Sequence, residues 1–209
     1  MNTEYKVYPT IVGIPRVHWA SSLNNFNNKY SDSFFLELET VAKDVISGTN
    51  KYNYLILCGS PGSGKTHFLV GVYKSLLDRL GYLHGDGALF IMFSAWMSEM
   101  IMRFGDGTSS SMRSLLVEYL QARYLFLDDV TSTERVFKTE TMEYAVFRDV
   151  LIERWDNAKF LGFTSNFTKA ELVRFITASL GAYVASRVLS SAKILEFPRK
   201  DFRFGEAGK

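Results

Sequence analysis

Apolar residues along this chain form short, nearly continuous runs that alternate with longer stretches of helical periodicity. Five runs are predicted to be strands: 53–58, 88–93, 123–128, 159–164 and 193–197. Further stretches are predicted to be helices: 65–80, 95–104, 110–121, 141–156, 168–176 and 181–189. Strands that are apolar throughout are buried on both faces, and their alternation with helices is typical of a covered parallel sheet. The pattern predicts an α/β fold whose ligand site lies at the carboxyl ends of the strands.

The N-terminal part of the chain departs from this pattern, because residues 1–33 are polar and irregular. Ser33 is predicted to cap a helix over about 34–47, and Gly48 is predicted to end it. We therefore expect an N-terminal extension over residues 1–33 and one core over residues 34–209. The 209 residues are 47% hydrophobic and 22% charged, a composition that suits a single globular core.

A phosphate-binding motif directly follows the first predicted strand. It matches the pattern G-x-x-x-x-G-K-[S/T] and consists of Gly59, Ser60, Pro61, Gly62, Ser63, Gly64, Lys65 and Thr66. Glycines let successive backbone N–H groups turn towards a phosphate, and the next helix points its positive dipole end at the same anion. Lys65 is expected to reach the outer phosphates, and the Thr66 hydroxyl is expected to ligate Mg²⁺. The flanking strand and helix disfavour a glycine turn that holds no nucleotide.

Two carboxylates stand where the strand predicted at 123–128 ends. A carboxylate at the tip of a neighbouring strand can hold Mg²⁺ directly or through water, which makes Asp128 the candidate second ligand. Asp129 is the candidate general base that polarises the attacking water. The pair would otherwise be a plain turn signal, an alternative that the preceding phosphate-binding motif disfavours.

Two further polar residues are candidates for the reaction. Asn166 follows the strand predicted at 159–164 and could orient the hydrolytic water and sense the terminal phosphate. An asparagine at a strand end is also a common turn former. Arg187 lies near the end of a short predicted helix and could stabilise the charge on a transferring phosphoryl group. It could equally cap helix carbonyls or pair with a surface acid, and the residues alone do not decide between these roles.

Charge and cysteine content limit the possible partners and the compartment. The formal net charge of +2 gives no strong attraction to a polyanion. The C-terminal stretch is more basic, and there a solvated surface is favoured over a DNA-facing edge. Cys58 is the one cysteine and is predicted to be a buried thiol, which suits a reducing compartment. The sequence has no N-terminal signal pattern and no apolar run of membrane-span length, so we expect no membrane partner and a cytoplasmic location.

Taken in chain order, these motifs resemble the AAA+ ATPases of the helicase-loader group, the DnaC, DnaI and IstB-like proteins. The resemblance covers residues 14–203, nearly the whole chain. It rests on these segments: Ile14-Pro15-Arg16 leading to 20–26, the loop Gly59–Thr66 continued by His67, Leu127-Asp128-Asp129, Glu153-Arg154, Thr164-Ser165-Asn166, Ser186-Arg187 and Lys200-Asp201-Phe202-Arg203. The loop alone is generic, whereas the ordered set is much more specific to this group.

The resemblance implies a fold, a cofactor set and residue roles. It implies ATP rather than GTP, bound with Mg²⁺, in a three-layer αβα sandwich around a five-stranded parallel sheet. It places His67 with the ATP-binding loop, Asn166 as sensor 1 and Arg187 as an arginine finger that acts on a neighbouring subunit. It also implies that the segment from Val17 to Phe26 packs against adenine.

In the resembling group, the helix after the second strand is often associated with single-stranded DNA. Here that helix is predicted over 95–104 and carries Trp96 and Arg103. A tryptophan and several methionines at helical spacing more often form a core than a base-stacking surface, so the core alternative is favoured for Trp96.

The chain departs from the loader pattern at both ends. Residues 1–58 precede the loop and leave no room for an N-terminal helicase-binding domain, so the loading of a helicase is less secure than the ATPase assignment. The chain ends soon after the last predicted strand, so we expect neither a C-terminal lid domain nor a lid-borne sensor arginine. Such a compact form would suit a phage or mobile-element protein.

The first functional hypothesis is a homo-oligomeric, DNA-associated ATPase that loads or remodels a replicative helicase. A transposition-regulator ATPase of the IstB type, with a transposase-type partner, is the nearest alternative. A small-molecule P-loop kinase shares the loop but normally needs an arginine-rich lid, which the sequence does not show. A nucleotide-bound adaptor with little turnover stays open, because Asp129 stands where many AAA+ proteins have glutamate.

Overall fold

A sheet of five parallel strands forms the middle layer of the protein. The computed structural model describes residues 13–26, 30–81, 87–105, 119–130 and 142–204. The strands are β1 (Tyr54–Gly59), β2 (Ala88–Met92), β3 (Tyr124–Asp128), β4 (Phe160–Thr164) and β5 (Ala192–Phe197). Their order across the sheet is β2-β3-β4-β1-β5, so β1 lies between β4 and β5. Every residue of β1, β3 and β4 is buried, as continuous apolar runs predict.

Helices cover both faces of this sheet. They are α1 (Asp32–Ser47), α2 (Lys65–Leu80), α3 (Phe93–Gly105), α4 (Met142–Asp156), α5 (Lys169–Ala178) and α6 (Ala182–Ser190). Successive residues of β1 alternate between two cores, with Ile56 on the side of α3 to α6 and Leu57 on the side of α1 and α2. The three-layer α/β architecture predicted from the sequence is therefore confirmed.

Most element boundaries agree with the sequence prediction to within one or two residues. Helix α2 begins at Lys65 and ends at Leu80, as predicted. The expected cap at Ser33 is wrong, because Ser31 holds the N-cap position and α1 already begins at Asp32. An acidic residue in the first turn complements the positive end of the helix dipole, which favours the earlier start. Gly48 ends α1 in the left-handed conformation, as predicted.

One predicted helix falls partly outside the part of the chain that the structure describes. Of the helix expected over 110–121, residues 119–121 are helical and the rest are not described. Within the described ranges, no helix is both long and apolar enough to cross a membrane.

A buried arginine holds the ends of the sheet that lie opposite the phosphate-binding loop. The Arg154 side chain on α4 is fully buried and donates to the carbonyl oxygens of Ala122 at 2.7 Å and Arg123 at 2.9 Å. It also donates to the Phe160 and Tyr119 carbonyls. Burial lowers the pKa of Arg154 to about 10. One side chain thus joins the residues before β3 to the first residue of β4 and fixes their register.

Candidate nucleotide site

The phosphate-binding loop lies between β1 and α2, at the carboxyl end of the sheet. At two glycines of this loop, an added side chain would clash with neighbouring residues. Gly62 has φ +74° and lies so close to Asp201 that a Cβ atom there would be 1.9 Å from a carboxylate oxygen. Gly64 has φ +97°, and its Cβ would be 2.3 Å from the Tyr30 hydroxyl. These glycines are therefore required by the conformation and packing of the loop, independently of any phosphate.

Lys65 is folded back against the loop that it follows. Its ammonium group donates to the carbonyl oxygens of Gly59 at 2.7 Å and Ser60 at 2.8 Å, and the residue is 5% exposed. Burial lowers the pKa of Lys65 to about 8, and the carboxylates of Asp129 and Asp128 oppose that shift. Among the residues that the structure describes, no carboxylate bonds to this cation, which the two carbonyls hold beside the loop.

Asp128 is buried at the end of β3 and accepts two hydroxyl hydrogen bonds. Thr66 donates to its Oδ1 at 2.9 Å, and Thr164 donates to the same atom at 2.6 Å. Burial raises the pKa of Asp128 above its ordinary value, while the Thr164 and Thr66 hydroxyls oppose the rise. Oxygen ligands on neighbouring corners of a Mg²⁺ octahedron also lie about 2.9 Å apart, because each is 2.0–2.1 Å from the ion. The Thr66 and Asp128 oxygens therefore suit the Mg²⁺ role that the sequence predicts for them.

Asp129 points in another direction because its backbone turns. It has φ +58°, an unusual value for a non-glycine residue but one that Asp tolerates. Its amide donates to the Thr164 hydroxyl at 2.7 Å, and its Oδ1 accepts from the Asn166 amide at 2.8 Å. The two carboxylates at the end of β3 thus have different environments, since Asp128 faces Thr66 and Asp129 faces Asn166. The Thr164 hydroxyl, to which the sequence analysis gave no role, donates to the Asp128 carboxylate and accepts from the Asp129 backbone amide.

A cavity of about 420 Å³ opens in front of these groups. Its lining includes most of the loop, both carboxylates, Thr164 and Asn166. Three residues of the N-terminal segment and two from the turn after β5 complete it: Pro15, Val17, His18, Phe202 and Arg203. The cavity therefore brings together the predicted residues Gly62 to His67 with Pro61, as well as Asp128, Asp129 and Asn166. Gly59 and Ser60 contribute through the carbonyls that hold Lys65.

The turn at 202–204 is the part of the site that sequence reasoning missed. The Phe202 amide donates to the Gly62 carbonyl at 3.0 Å, which ties this turn to the phosphate-binding loop. Arg203 lines the cavity and pairs with the Asp201 carboxylate at 2.7 Å. The available signal was a basic residue soon after the last strand, whose carboxyl end lies at the same edge of the sheet as the loop.

The N-terminal segment is anchored to the loop by side chains. His67 Nε2 lies 2.8 Å from Asn25 Oδ1, and Tyr30 donates its hydroxyl hydrogen to the Ser63 carbonyl at 2.6 Å. The Phe26 ring packs edge-on against His67 and stacks on Tyr30. His67 therefore contacts the extension as well as lining the cavity, and its direct contact with ATP stays a prediction.

Arg187 and Trp96 lie away from this cavity. Arg187, on α6, is not among the cavity-lining residues and packs against Tyr183 and Trp155. Trp96 is 1% exposed and meets the rings of Phe93 and Tyr119 edge-on. The core alternative for Trp96 is thereby confirmed, and its ring has no face open for a base. The side chain of Arg103 lies outside the described residues.

The sheet order and the loop between β1 and α2 define a P-loop fold of the AAA+ class. No protein-family model and no curated protein matches the sequence. Among solved structures, the fold is similar to the DnaC helicase loader, with a TM-score of 0.70 and 19% identity over 88% of this chain and 100% of that one. It is also similar to DnaI, with a TM-score of 0.66 and 22% identity over 90% of this chain and 93% of that one.

A replication initiator, DnaA bound to AMPPCP and single-stranded DNA, shares the fold as well. Its TM-score is 0.63 and its identity 18%, over 86% of this chain and 50% of that chain. The expected AAA+ fold of the helicase-loader group is therefore confirmed.

Proposed function

We propose that this protein is an AAA+ ATPase that hydrolyses magnesium-ATP in the 420 Å³ cavity and acts on a DNA-replication partner. One observation carries the proposal. Thr66, Asp128 and Thr164 form a continuous hydrogen-bonded series at the mouth of the loop, and Asp129 and Asn166 extend it. A loop without catalytic use has no need for two carboxylates held in different directions.

Each side of the cavity suits one part of the nucleotide. The loop amides and Lys65 would bind the β- and γ-phosphates, and Arg203 would add a second cation once it exchanges Asp201 for phosphate. Thr66 and Asp128 would hold Mg²⁺, which neutralises charge on the phosphate oxygens. The apolar surfaces of Pro15 and Val17, the latter 83% exposed, would pack against the base.

The hydrolytic step follows from the placement of Asp129. Its carboxylate would accept a proton from water while the water oxygen forms a bond to the γ-phosphorus and the bond to the ADP oxygen breaks. Asn166 holds one carboxylate oxygen of Asp129 in place by donating its amide hydrogen to it. Charge developing on the γ-phosphoryl group would be met by Arg187 from a second copy, because Arg187 does not line its own cavity.

ATP binding by the loop is tested by replacing Lys65 with alanine. This change removes the cation next to the outer phosphates, and we expect magnesium-ATP affinity measured by calorimetry to fall about 100-fold or more. Lys51→Ala is the matched control, because Lys51 is exposed and lies before the amino end of β1. Near-normal affinity in a folded Lys65→Ala protein would remove the loop from nucleotide binding.

The replication partner is the part of the proposal that rests on fold similarity. The DnaC neighbour is a helicase loader and the DnaA neighbour carries single-stranded DNA, which supports a homo-oligomer that acts on a replicative helicase at DNA. Recovery of a hexameric helicase, rather than a transposase, from native extract in ATP would favour this partner. A Lys65→Ala bait is the control for nucleotide dependence.

Single-stranded DNA is expected to bind weakly and with strong dependence on salt. The net charge of +2 gives little long-range attraction, so contacts must come from local clusters such as exposed Arg199 and Lys200. Phosphate contacts release counterions, and affinity must then fall as salt rises. Fluorescence anisotropy in ATP across a salt series measures this, with Arg199→Ala expected to weaken binding and Lys51→Ala to leave it unchanged. Absence of binding at low salt would indicate an ATPase directed at proteins alone.

A further inference from the structure

Arg187 is held between two aromatic rings on the surface formed by α4 and α6. Tyr183 and Arg187 are four residues apart on α6 and therefore share a helix face. The Arg187 guanidinium carbon lies 3.3 Å from the centre of the Tyr183 ring. It lies 4.6 Å from the centre of the Trp155 ring, which comes from the end of α4. We call Tyr183 and Trp155 the aromatic clamp.

The clamp rings contact the guanidinium group, and part of the Arg187 side chain stays open to solvent. The nearest carboxylate oxygen, from Asp156, is 3.9 Å from Nε, beyond hydrogen-bond length. Nε is buried and has no hydrogen-bond acceptor among the residues that the structure describes. The two terminal nitrogens of Arg187 do not combine burial with the lack of a partner. The Arg187 side chain donates no hydrogen bond to these residues, so its terminal nitrogens reach solvent, and the side chain is 23% exposed. An arginine that served only to close its own helix would direct these donors at carbonyls instead.

We infer that Tyr183 and Trp155 are positioning residues that present the terminal nitrogens of Arg187 to the phosphates of ATP in a second copy of this chain. This inference rests on the proposed function, in which the site is completed between subunits. An unrestrained arginine side chain loses rotamer entropy when it binds. Stacking on two rings removes most of that freedom before assembly, so less is lost when the phosphate is met.

The test uses two variants that are each inactive alone. Lys65→Ala lacks a working pocket but keeps Arg187, so it serves as the donor. Arg187→Ala keeps its pocket but lacks the arginine, so it serves as the acceptor. In the proposed function, their mixture recovers ATP turnover because a donor subunit supplies Arg187 to its neighbour. Light scattering confirms that the two variants assemble together.

The clamp predicts that Tyr183→Ala acts in the donor and not in the acceptor. Added to the Lys65→Ala donor, it should lower the recovered turnover about 3- to 30-fold, the range that one cation–π contact supplies. Added to the Arg187→Ala acceptor, it should change the recovery little, because that subunit has no arginine to position. An equal effect in donor and acceptor, or none in the donor, would overturn the clamp. Failure of the parent mixture to recover activity despite co-assembly would instead overturn the shared site itself.

A second measurement does not depend on mixing. In an otherwise unchanged chain, Tyr183→Ala should lower kcat while the KM for ATP stays constant, because the pocket that binds ATP is not altered. Tyr183→Phe keeps the ring face and should restore kcat. Tyr183 is 55% exposed, so we expect its replacement to change the stability of the protein little. A thermal melt of each variant checks that it is folded. Equal loss of kcat in the Phe and Ala variants would also contradict the clamp, because it would assign the effect to the hydroxyl.

Discussion

Replacing Arg187 with alanine is expected to leave ATP binding near normal and to lower the maximal turnover by about 10³- to 10⁵-fold. An arginine supplied to a developing phosphoryl charge contributes on this scale in other P-loop enzymes. Arg187 does not line the cavity of its own subunit, so ATP affinity, which the proposed function assigns to that subunit's loop, should not change. Calorimetry and steady-state turnover at saturating ATP measure the two quantities separately.

The control for this prediction is Arg174→Ala, because Arg174 is an exposed arginine on the neighbouring helix α5. A finger acting between subunits also requires the specific activity of the unaltered protein to rise with its concentration. Full activity of Arg187→Ala would make Arg187 a stacking residue that only joins α6 to α4. Activity independent of concentration over the whole range of assembly would point to a site complete within one subunit.

Asp129→Asn is expected to bind ATP and to hydrolyse it about 10²- to 10⁴-fold more slowly, because an amide cannot accept the proton from water. The change is conservative for the structure. Asn tolerates the positive φ of position 129, and its carbonyl can still accept from the Asn166 amide. A loss of turnover can therefore be attributed to the proton acceptor rather than to a shifted backbone. Wild-type turnover in Asp129→Asn would remove Asp129 from catalysis.

Asp128→Asn is the matched comparison, because it makes the same chemical change one residue earlier. Asp128 bonds to the Thr66 hydroxyl, so its amide should weaken the Mg²⁺-dependent part of ATP affinity as well as turnover. Titrations with magnesium and with a chelator separate that part from the rest. If Asp128→Asn and Asp129→Asn had identical effects, the assignment of Asp128 to the metal and of Asp129 to the water would be wrong.

The sequence was most informative where structure depends on local pattern. Buried strands such as β3 carry apolar residues at every position, so periodicity located them without knowledge of their neighbours. The bounds of α2 were predicted correctly from the loop motif and the apolar periodicity, and in the structure Gly64 and Gly81 flank the helix in the left-handed conformation. The loop needed only its own spacing and the elements on either side. Trp96 was favoured as a core residue on spacing alone, and its burial agrees.

Contacts between distant segments could not be read in the same way. Phe202 meets Gly62 only because β5 pairs with β1 in a particular register, and no local pattern encodes that register. The two hydrogen bonds of the Thr164 hydroxyl, one donated to Asp128 and one accepted from Asp129, likewise depend on β3 and β4 lying side by side. The aromatic clamp on Arg187 requires α4 and α6 to pack together. In the sequence, these residues cannot be distinguished from other strand ends and helix surfaces, because their contacts form only when the elements pack together.

The strand order also fixes when, during synthesis, the nucleotide site can form. Strand β1 pairs with β4 and β5, whereas β2 and β3, which are translated directly after it, pair with each other and reach β1 only through β4. A nascent chain that has emerged as far as Asp128 contains the whole phosphate-binding loop but no strand to place beside β1. Such late, long-range pairing is slow to form, and until then it leaves an apolar strand edge exposed. Strand β5 and the turn at 202–204 must be synthesised before the loop is enclosed, so the pairing of β1 is completed only by β5.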